Sequence, residues 1–257
     1  MKYPKTPMKK KTILITGATS GIGKATAVLF AQRGERLILC GRRQERLEEL
    51  QREFACESQL LNFDVRDRTA VFTAIESLPD NWKNIDLLIN NAGNAHGLDP
   101  VHKANLDDWD AMIDGNVKGL MYVTKAVLPQ MVDRQAGQIV NVGSIAGIEV
   151  YPNGNVYCAS KFAVDAFTQG LRLDLNPFGI RICAVHPGLV ETEFSMVRFK
   201  GDEERSRKVY DTLIPLTAAD VANAIAYMVD APPHVTVADL TLLPTDQANA
   251  TVINRKK

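Results

Sequence analysis

The sequence predicts a single-domain α/β fold: a doubly wound parallel sheet with helices on both faces. Three observations carry this. Short, near-continuous apolar runs recur at residues 12–15, 37–40, 60–63, 85–89, 139–142, 180–185 and 240–243, the pattern of parallel strands covered on both sides. Between some of them lie stretches with apolar residues at helical spacing, at 25–33, 44–55 and 162–175; alternating strand and helix means βαβ units. Turn signals stand where strands should meet helices: Gly17, Asn90-Asn91-Ala92-Gly93, and Pro187-Gly188. In such sheets the ligand crevice lies outside the carboxyl ends of the strands.

The 257 residues (28.3 kDa) suit one domain of this class, expected over residues 11–250. Residues 1–10 are rich in lysine and read as a flexible, solvated tail. Thirty basic residues cancel thirty acidic ones, which offers no global field to nucleic acid or an anionic membrane. No apolar run approaches the roughly 18 residues of a membrane span. Cys40, Cys56, Cys158 and Cys183 form no CxxC pair, and reduced thiols in a cytoplasmic protein are the simplest reading. His96, His102, His186 and His234 are scattered without ligand spacing, so no metal site is expected. Charges crowd together over residues 199–208, a surface excursion from the sheet. Thr217 with Asp220 reads as a capping box opening a helix to about Tyr227.

The first strand runs into Thr16-Gly17-Ala18-Thr19-Ser20-Gly21-Ile22-Gly23. Gly17 permits a tight turn, Gly21 lets a phosphate approach the backbone, and Gly23 lets the helix pack close to the sheet. The helix start then offers free N–H groups to a pyrophosphate. After the second strand, an NAD site would place an Asp or Glu to meet the ribose 2′-hydroxyl. Gly41 stands there instead, followed by Arg42 and Arg43. Guanidinium groups suit a 2′-phosphate, which favours NADP; the alternative is that both merely open a solvated helix.

Tyr157 and Lys161, at i and i+4, share one helix face. A nearby ammonium lowers the phenol pKa, which makes Tyr157 a plausible proton donor or acceptor. Ser144, after the strand at 139–142, can hydrogen-bond the same substrate oxygen.

In this order, the motifs at Thr16–Gly23 and Asn90–Gly93, with Asn116, Ser144, Tyr157, Lys161 and Pro187-Gly188, resemble the short-chain dehydrogenase/reductase family, a Rossmann-type fold. The resemblance covers essentially residues 11–245. It implies Tyr157 as catalytic acid/base, Ser144 as the group polarising the substrate carbonyl, and Lys161 as holder of the nicotinamide ribose. It further implies Asn116 as the link to a proton-relaying water, and Asp64 and Val65 as the adenine contact. Asn90, Asn91, Ala92 and Gly93 would steady the central strand and the ribose. Thr19, Ser20 and Ile22 belong to the cofactor loop, and Pro187, Gly188, Val190 and Thr192 to the nicotinamide end. Stretches such as Gly41–Leu47, Gly154–Tyr157 and Thr192–Ser195, followed by Val197–Asp202, resemble the NADP-dependent 3-hydroxy acid dehydrogenase branch. That branch acts on serine, allo-threonine or 3-hydroxypropionate, or on malonic semialdehyde in reverse; a related branch reduces sulfoacetaldehyde. The resemblance also implies a homotetramer built on the helices that carry Asn116 and Tyr157.

A substrate acid group needs a partner when it leaves water. Residues 192–215 are expected to cover the substrate, with Arg198 or Lys200 meeting its charge and Tyr151 as a further donor. The competing reading from another class is a non-catalytic NADP-sensing module. Retention of Ser144, Tyr157 and Lys161 together argues against it.

Overall fold

A computed structural model describes residues 10–255. The lysine tail falls outside this span except for Lys10, which is exposed. The elements, in order, are β1 (Thr12–Thr16), α1 (Gly21–Gln32), β2 (Arg36–Gly41), α2 (Gln44–Glu53), β3 (Ser58–Asn62), α3 (Arg68–Glu76), β4 (Leu87–Asn90) and α4 (Leu106–Met112). A π-helical turn (Ile113–Lys118) joins α4 to α5 (Gly119–Arg134). Then follow β5 (Gly137–Val142), α6 (Asn155–Leu175), β6 (Ile180–Pro187), β7 (Val190–Glu191), α7 (Phe194–Arg198), α8 (Glu203–Lys208), β8 (Leu216–Thr217), α9 (Ala218–Val229) and β9 (Asp239–Leu242).

Among the described residues, one seven-stranded sheet has the order β3-β2-β1-β4-β5-β6-β9, with every pairing parallel. This is the doubly wound architecture that the apolar runs predict. Alternation explains why those runs are continuous. Ile13 and Ile15 face one core with Phe30, Leu47 and Ile225, while Leu14 and Ile38 face the other with Val71, Val123 and Leu171. Each fully buried aliphatic side chain contributes about 1.5–3 kcal/mol relative to exposure.

Several boundaries differ from the expected ones, for identifiable reasons. Helix α1 starts at Gly21, inside the glycine loop. Helix α6 starts at Asn155, so it includes the expected Tyr157–Lys161 turn; the apolar periodicity marks it only from 162, because the first buried face is mostly polar, with Tyr157, Ser160 and Lys161 beside Cys158. Helix α5 has no counterpart among the expected helical stretches; it opens on Gly119 and carries Pro129 in its interior. The capping box forms: Asp220 N donates to Thr217 Oγ1 and Thr217 N to Asp220 Oδ2, and α9 ends at Val229.

Candidate active site

A cavity of about 600 Å³ lies outside the carboxyl ends of β1 to β6, where this topology places ligands. One end is formed by Arg42, Arg43, Asp64 and Val65, the other by Ser144, Tyr151, Tyr157 and Arg198.

The glycine loop forms the cradle between them. Gly17 and Gly21 take φ of +65° and +51°, the left-handed region that favours glycine. A side chain at Gly23 would run into the Gly17 carbonyl and the Asn91 amide, so its role is close packing, as expected. Ser20 precedes α1 without a side-chain cap bond, which leaves the first N–H groups of the helix to a ligand. Asn91 Nδ2 donates to Thr16 O (2.9 Å) and Gly17 O (3.2 Å), and Asn91 N and Ala92 N both donate to Thr16 Oγ1 at 3.0 Å. The loops after β1 and β4 are thereby stitched into one wall. Behind them, buried Asn90 Nδ2 donates to Thr124 Oγ1 and Asn141 Oδ1, both at 2.9 Å.

At the arginine end, a Cβ on Gly41 would sit 2.9 Å from Thr19 Cγ2. The acidic side chain of an NAD site would therefore require Thr19 to shift. Arg43 Nη2 donates to Thr19 Oγ1 (3.0 Å), and its Nη1 to Glu193 Oε2 (3.3 Å). Arg42 lies 3.5 Å from Asp64 Oδ2, and Arg66 Nη2 donates to the same oxygen at 2.6 Å. Burial works to raise the Asp64 carboxyl, but Arg66 and Arg42 outweigh it and hold it below the usual carboxylate range. The elongated cavity, the free helix start and the two arginines fit a dinucleotide that carries a 2′-phosphate.

At the other end, Tyr157 is buried (8% exposed) and meets Phe194 edge-to-face, with centroids 5.7 Å apart. Burial raises its phenol pKa; Tyr151 adds to this, while a hydrogen bond with Ser144 and the charge of Arg198 oppose it. The expected depression by Lys161 is not what governs this phenol. The Lys161 ammonium donates to Val142 O at 2.9 Å and lies 6.0 Å from the Tyr157 ring centroid. Burial pushes Lys161 itself down to about 8. Ser144 Oγ accepts from Ala146 N at 3.1 Å.

Asn116 sits in the π-helical turn, outside the cavity lining. Its Oδ1 accepts from Asn94 N (2.7 Å), and its Nδ2 donates to Asn94 O (2.8 Å) and Ser160 Oγ (3.0 Å). Its side chain is thus occupied in bracing the loop after β4 against α6. Such turns recur at functional sites.

Pro187 ends β6, and Leu189 N beyond Gly188 donates to Gln247 Oε1 at 2.9 Å. Val190 O accepts from Tyr210 Oη (2.9 Å), and Thr192 Oγ1 accepts from Phe194 N (3.2 Å). Residues from Thr192 to Phe199, except Met196, line one wall of the cavity.

The two candidate acid readers part company. Arg198 Nη2 donates to Tyr151 Oη at 2.7 Å and Nε to Gly97 O at 3.2 Å, with the guanidinium carbon 5.2 Å from the Tyr157 ring centroid. Lys200 is not part of the cavity lining; its ammonium pairs with Asp108 at 2.9 Å.

Sequence reading missed His96, Tyr210, Gln247 and Ala250, which also line the cavity. His96 lies just beyond the Asn90–Gly93 motif and Tyr210 within the expected covering segment 192–215, but neither has a motif of its own; Gln247 and Ala250 come from the distant segment after β9. It also missed that His186 is buried with Nε2 3.9 Å from Asp165 Oδ1 and 3.6 Å from Asp239 Oδ1. Arg172 already pairs with Asp239 at 3.1 Å.

Fold and site together define an oxidoreductase of the nucleotide-dependent kind, with a phenol and an ammonium at its reacting end. The chain belongs to the short chain dehydrogenase family, whose model matches residues 11–203. It is 46% identical over 239 residues to the NADP-dependent 3-hydroxy acid dehydrogenase YdfG of Escherichia coli (strain K12), covering 93% of this chain and 96% of that protein. It is 47% identical over 239 residues to sulfoacetaldehyde reductase 2 of Chromohalobacter salexigens, covering 92% and 95%. Among solved structures, the closed form of a serine dehydrogenase complexed with NADP+ superposes with a TM-score of 0.91 at 45% identity, covering 96% of this chain and all of that one.

Proposed function

We propose that this protein is an NADP-dependent oxidoreductase acting between a small 3-hydroxy acid and its semialdehyde. Substrates of the serine, allo-threonine or 3-hydroxypropionate type fit the site. The observation that carries the substrate class is Arg198, a half-buried guanidinium beside the Tyr157 ring with its Nη1 left unbonded.

The cofactor would be held by the glycine loop Gly17–Gly23, with Arg42 and Arg43 at the 2′-phosphate and Asp64 and Val65 at the adenine. Asn91, Ala92, Gly93 and Lys161 would meet the nicotinamide ribose, and Pro187, Gly188, Val190 and Thr192 the carboxamide end. When bound, NADP supplies the hydride donor or acceptor. The chain's own residues do the rest. Ser144 and Tyr157 converge on the substrate oxygen. Burial keeps Tyr157 protonated at neutral pH, so it is ready to give its proton to a carbonyl oxygen as that oxygen gains charge. In the opposite direction it must first lose that proton, which Ser144 and Arg198 favour. Arg198 forks onto the substrate carboxylate, while Phe194 and Phe199 exclude water. Both donors of the Asn116 amide are engaged by Asn94 and Ser160, so a water link there would use an acceptor, its main-chain carbonyl or the second lone pair of Oδ1.

The relative named as a sulfoacetaldehyde reductase supports a second substrate with sulfonate in place of carboxylate, read by the same guanidinium. A sensor module would not need an oriented Ser144–Tyr157 pair. We place the protein in the cytoplasm, on its four free cysteines, and assign it as a homotetramer. Exposed Leu106, Phe162 and Leu173 on α4 and α6 support that assembly; light scattering in solution tests it. No helix among the described residues is long and apolar enough to cross a membrane.

The deciding experiment assays the wild type and Arg198→Met with serine, 3-hydroxypropionate, sulfoacetaldehyde and an uncharged aldehyde of similar size. We expect kcat/KM for the acids to fall by about ten- to a hundredfold, the size of a charge-assisted hydrogen bond. The neutral compound should change little. An equal loss for all, or none for any, removes Arg198 as the reader.

A further inference from the structure

Glu193 has no role in the reading above, yet it lies where the two ends of the cavity meet. It precedes α7, next to Thr192 at the nicotinamide end and five residues before Arg198. Its carboxylate reaches across to the arginine end. Oε2 accepts from Arg43 at 3.3 Å, and Arg46 Nη1 donates to Oε1 at 2.9 Å and to Oε2 at 3.1 Å. Burial acts to raise this carboxyl, but the bonds from Arg46 and Arg43 outweigh it and hold it below its ordinary value.

Arg43 is also the arginine joined to Thr19 of the glycine loop. A phosphate on the adenosine ribose needs that guanidinium as a fork. Glu193 already uses one of its two terminal nitrogens. Two anions cannot both take the favoured face of one guanidinium without repulsion.

We propose that Glu193 competes with the cofactor's 2′-phosphate for Arg43, and so couples phosphate binding to the anchoring of segment 192–201, which carries Arg198. This rests on the assignment of Arg43 to the 2′-phosphate. The carboxylate is about half exposed, as are both arginines. The pair is therefore weak, and the doubly charged phosphate wins the exchange while losing part of its affinity to it. Coupling is reciprocal: whatever Glu193 subtracts from phosphate affinity, phosphate subtracts from the hold of Arg43 on the segment.

The test uses 2′,5′-ADP and 5′-AMP, which present the adenosine end with and without the 2′-phosphate and do not reach the nicotinamide end. Binding of each is measured by calorimetry to the wild type, Glu193→Gln, Arg43→Ala and the double variant. We expect Glu193→Gln to bind 2′,5′-ADP about threefold tighter, the size of an exposed ion pair, with 5′-AMP unchanged. That gain should vanish when Arg43 is absent. In the wild type, 2′,5′-ADP should speed amide exchange over residues 194–199, and 5′-AMP should not. Unchanged or weaker binding of 2′,5′-ADP by Glu193→Gln overturns the proposal, because Glu193 would then orient Arg43 rather than compete for it. A gain that persists without Arg43 also overturns it, leaving through-space repulsion. If Arg43→Ala binds 2′,5′-ADP as the wild type does, the fault lies in the assignment of Arg43 itself, and the proposal falls with it.

Discussion

The two ends of the cavity are built from opposite materials. At the reacting end, Tyr157, Lys161 and Ser144 are all buried, and Lys161 and Ser144 are tied to main-chain groups at 2.9 and 3.1 Å. Around them, Asn116, Ser160 and Asn94 form a closed network. At the adenosine end, Arg42, Arg43, Arg46 and Glu193 are 43–57% exposed; Arg43 and Arg46 are held by ion pairs to Glu193, and Arg42 by one to Asp64. Buried polar groups are held by the whole fold, because leaving one unpaired costs about 1–3 kcal/mol. Exposed ion pairs are worth about 0–1 kcal/mol and exchange partners readily. The site therefore fixes the geometry of proton transfer and leaves charge recognition adjustable.

The largest expected effect falls on the rigid end. Tyr157→Phe keeps the ring packed against Phe194 and removes the proton. We expect kcat to fall by about 10²–10⁴-fold, with NADP affinity within a factor of two or so by fluorescence titration. Turnover close to that of the wild type would place the acid elsewhere and erase the contrast between the ends.

Lys161 tests whether burial dominates there. Its ammonium pKa falls from 10.5 to about 8 on burial. Below about pH 8, folded and unfolded chains are both protonated, and the desolvation penalty stands in full. Between about 8 and 10.5 the unfolded chain holds more protons, so stability rises with pH. Above 10.5 the penalty is gone. Lys161→Met lacks this rise. Urea unfolding from about pH 7.5 to about pH 10.5, without nucleotide, should shift the difference between the two proteins by on the order of 3 kcal/mol in favour of the wild type. A constant difference would mean that Lys161 is solvated in the native state.

This contrast also governs what could be read from the sequence. Continuous apolar runs reveal the central strands, β1, β4, β5 and β6, which are buried on both faces; the edge strands β3 and β9 are only partly buried yet still carried enough aliphatic residues to be read. Gly17, Gly21 and Gly23 were legible because backbone geometry restricts those positions. Tyr157 and Lys161 were legible as a pair on one helix face, although apolar periodicity marks that helix only from 162, because its first buried face is mostly polar. The pKa of Tyr157 was not legible, since it depends on burial by Tyr151 and Phe194 from other segments. Arg198 and Lys200 are two residues apart in sequence and carry the same charge. One short helix turn separates them: Arg198 ends α7 and faces Tyr151, while Lys200, at φ +53°, turns away to Asp108. Only the folded chain distinguishes them.

At the exposed end, Arg43→Ala should weaken NADP by about 1.5–3 kcal/mol and leave NAD nearly unchanged. Arg42→Ala should do less: each arginine is shared with a carboxylate, Arg42 with Asp64 at 3.5 Å and Arg43 with Glu193 at 3.3 Å, but Arg43 is also held against the glycine loop by Thr19. Equilibrium titration of each variant with both nucleotides checks this ordering. Equal losses for NAD and NADP would mean that the arginines brace the loop rather than read phosphate.

The smallest effect separates the ends without a mutation. Raising salt from about 0.1 M to about 1 M shortens the Debye length from about 10 Å to about 3 Å. Screening acts on charges that ions can approach. Arg43 and Arg46 are such charges; Lys161, at 7% exposure and bonded to Val142 O, is not. The salt should therefore weaken NADP severalfold, weaken NAD much less, and leave kcat at saturating substrate and cofactor within about a factor of two. The Glu193 pairs are screened by the same ions, which frees Arg43 and offsets part of the loss. The salt dependence of NADP binding should accordingly be steeper in Glu193→Gln than in the wild type. A fall in kcat that tracks the loss of NADP affinity would show that solvent ions reach the reacting end, and the division between a rigid and an adjustable end would not hold.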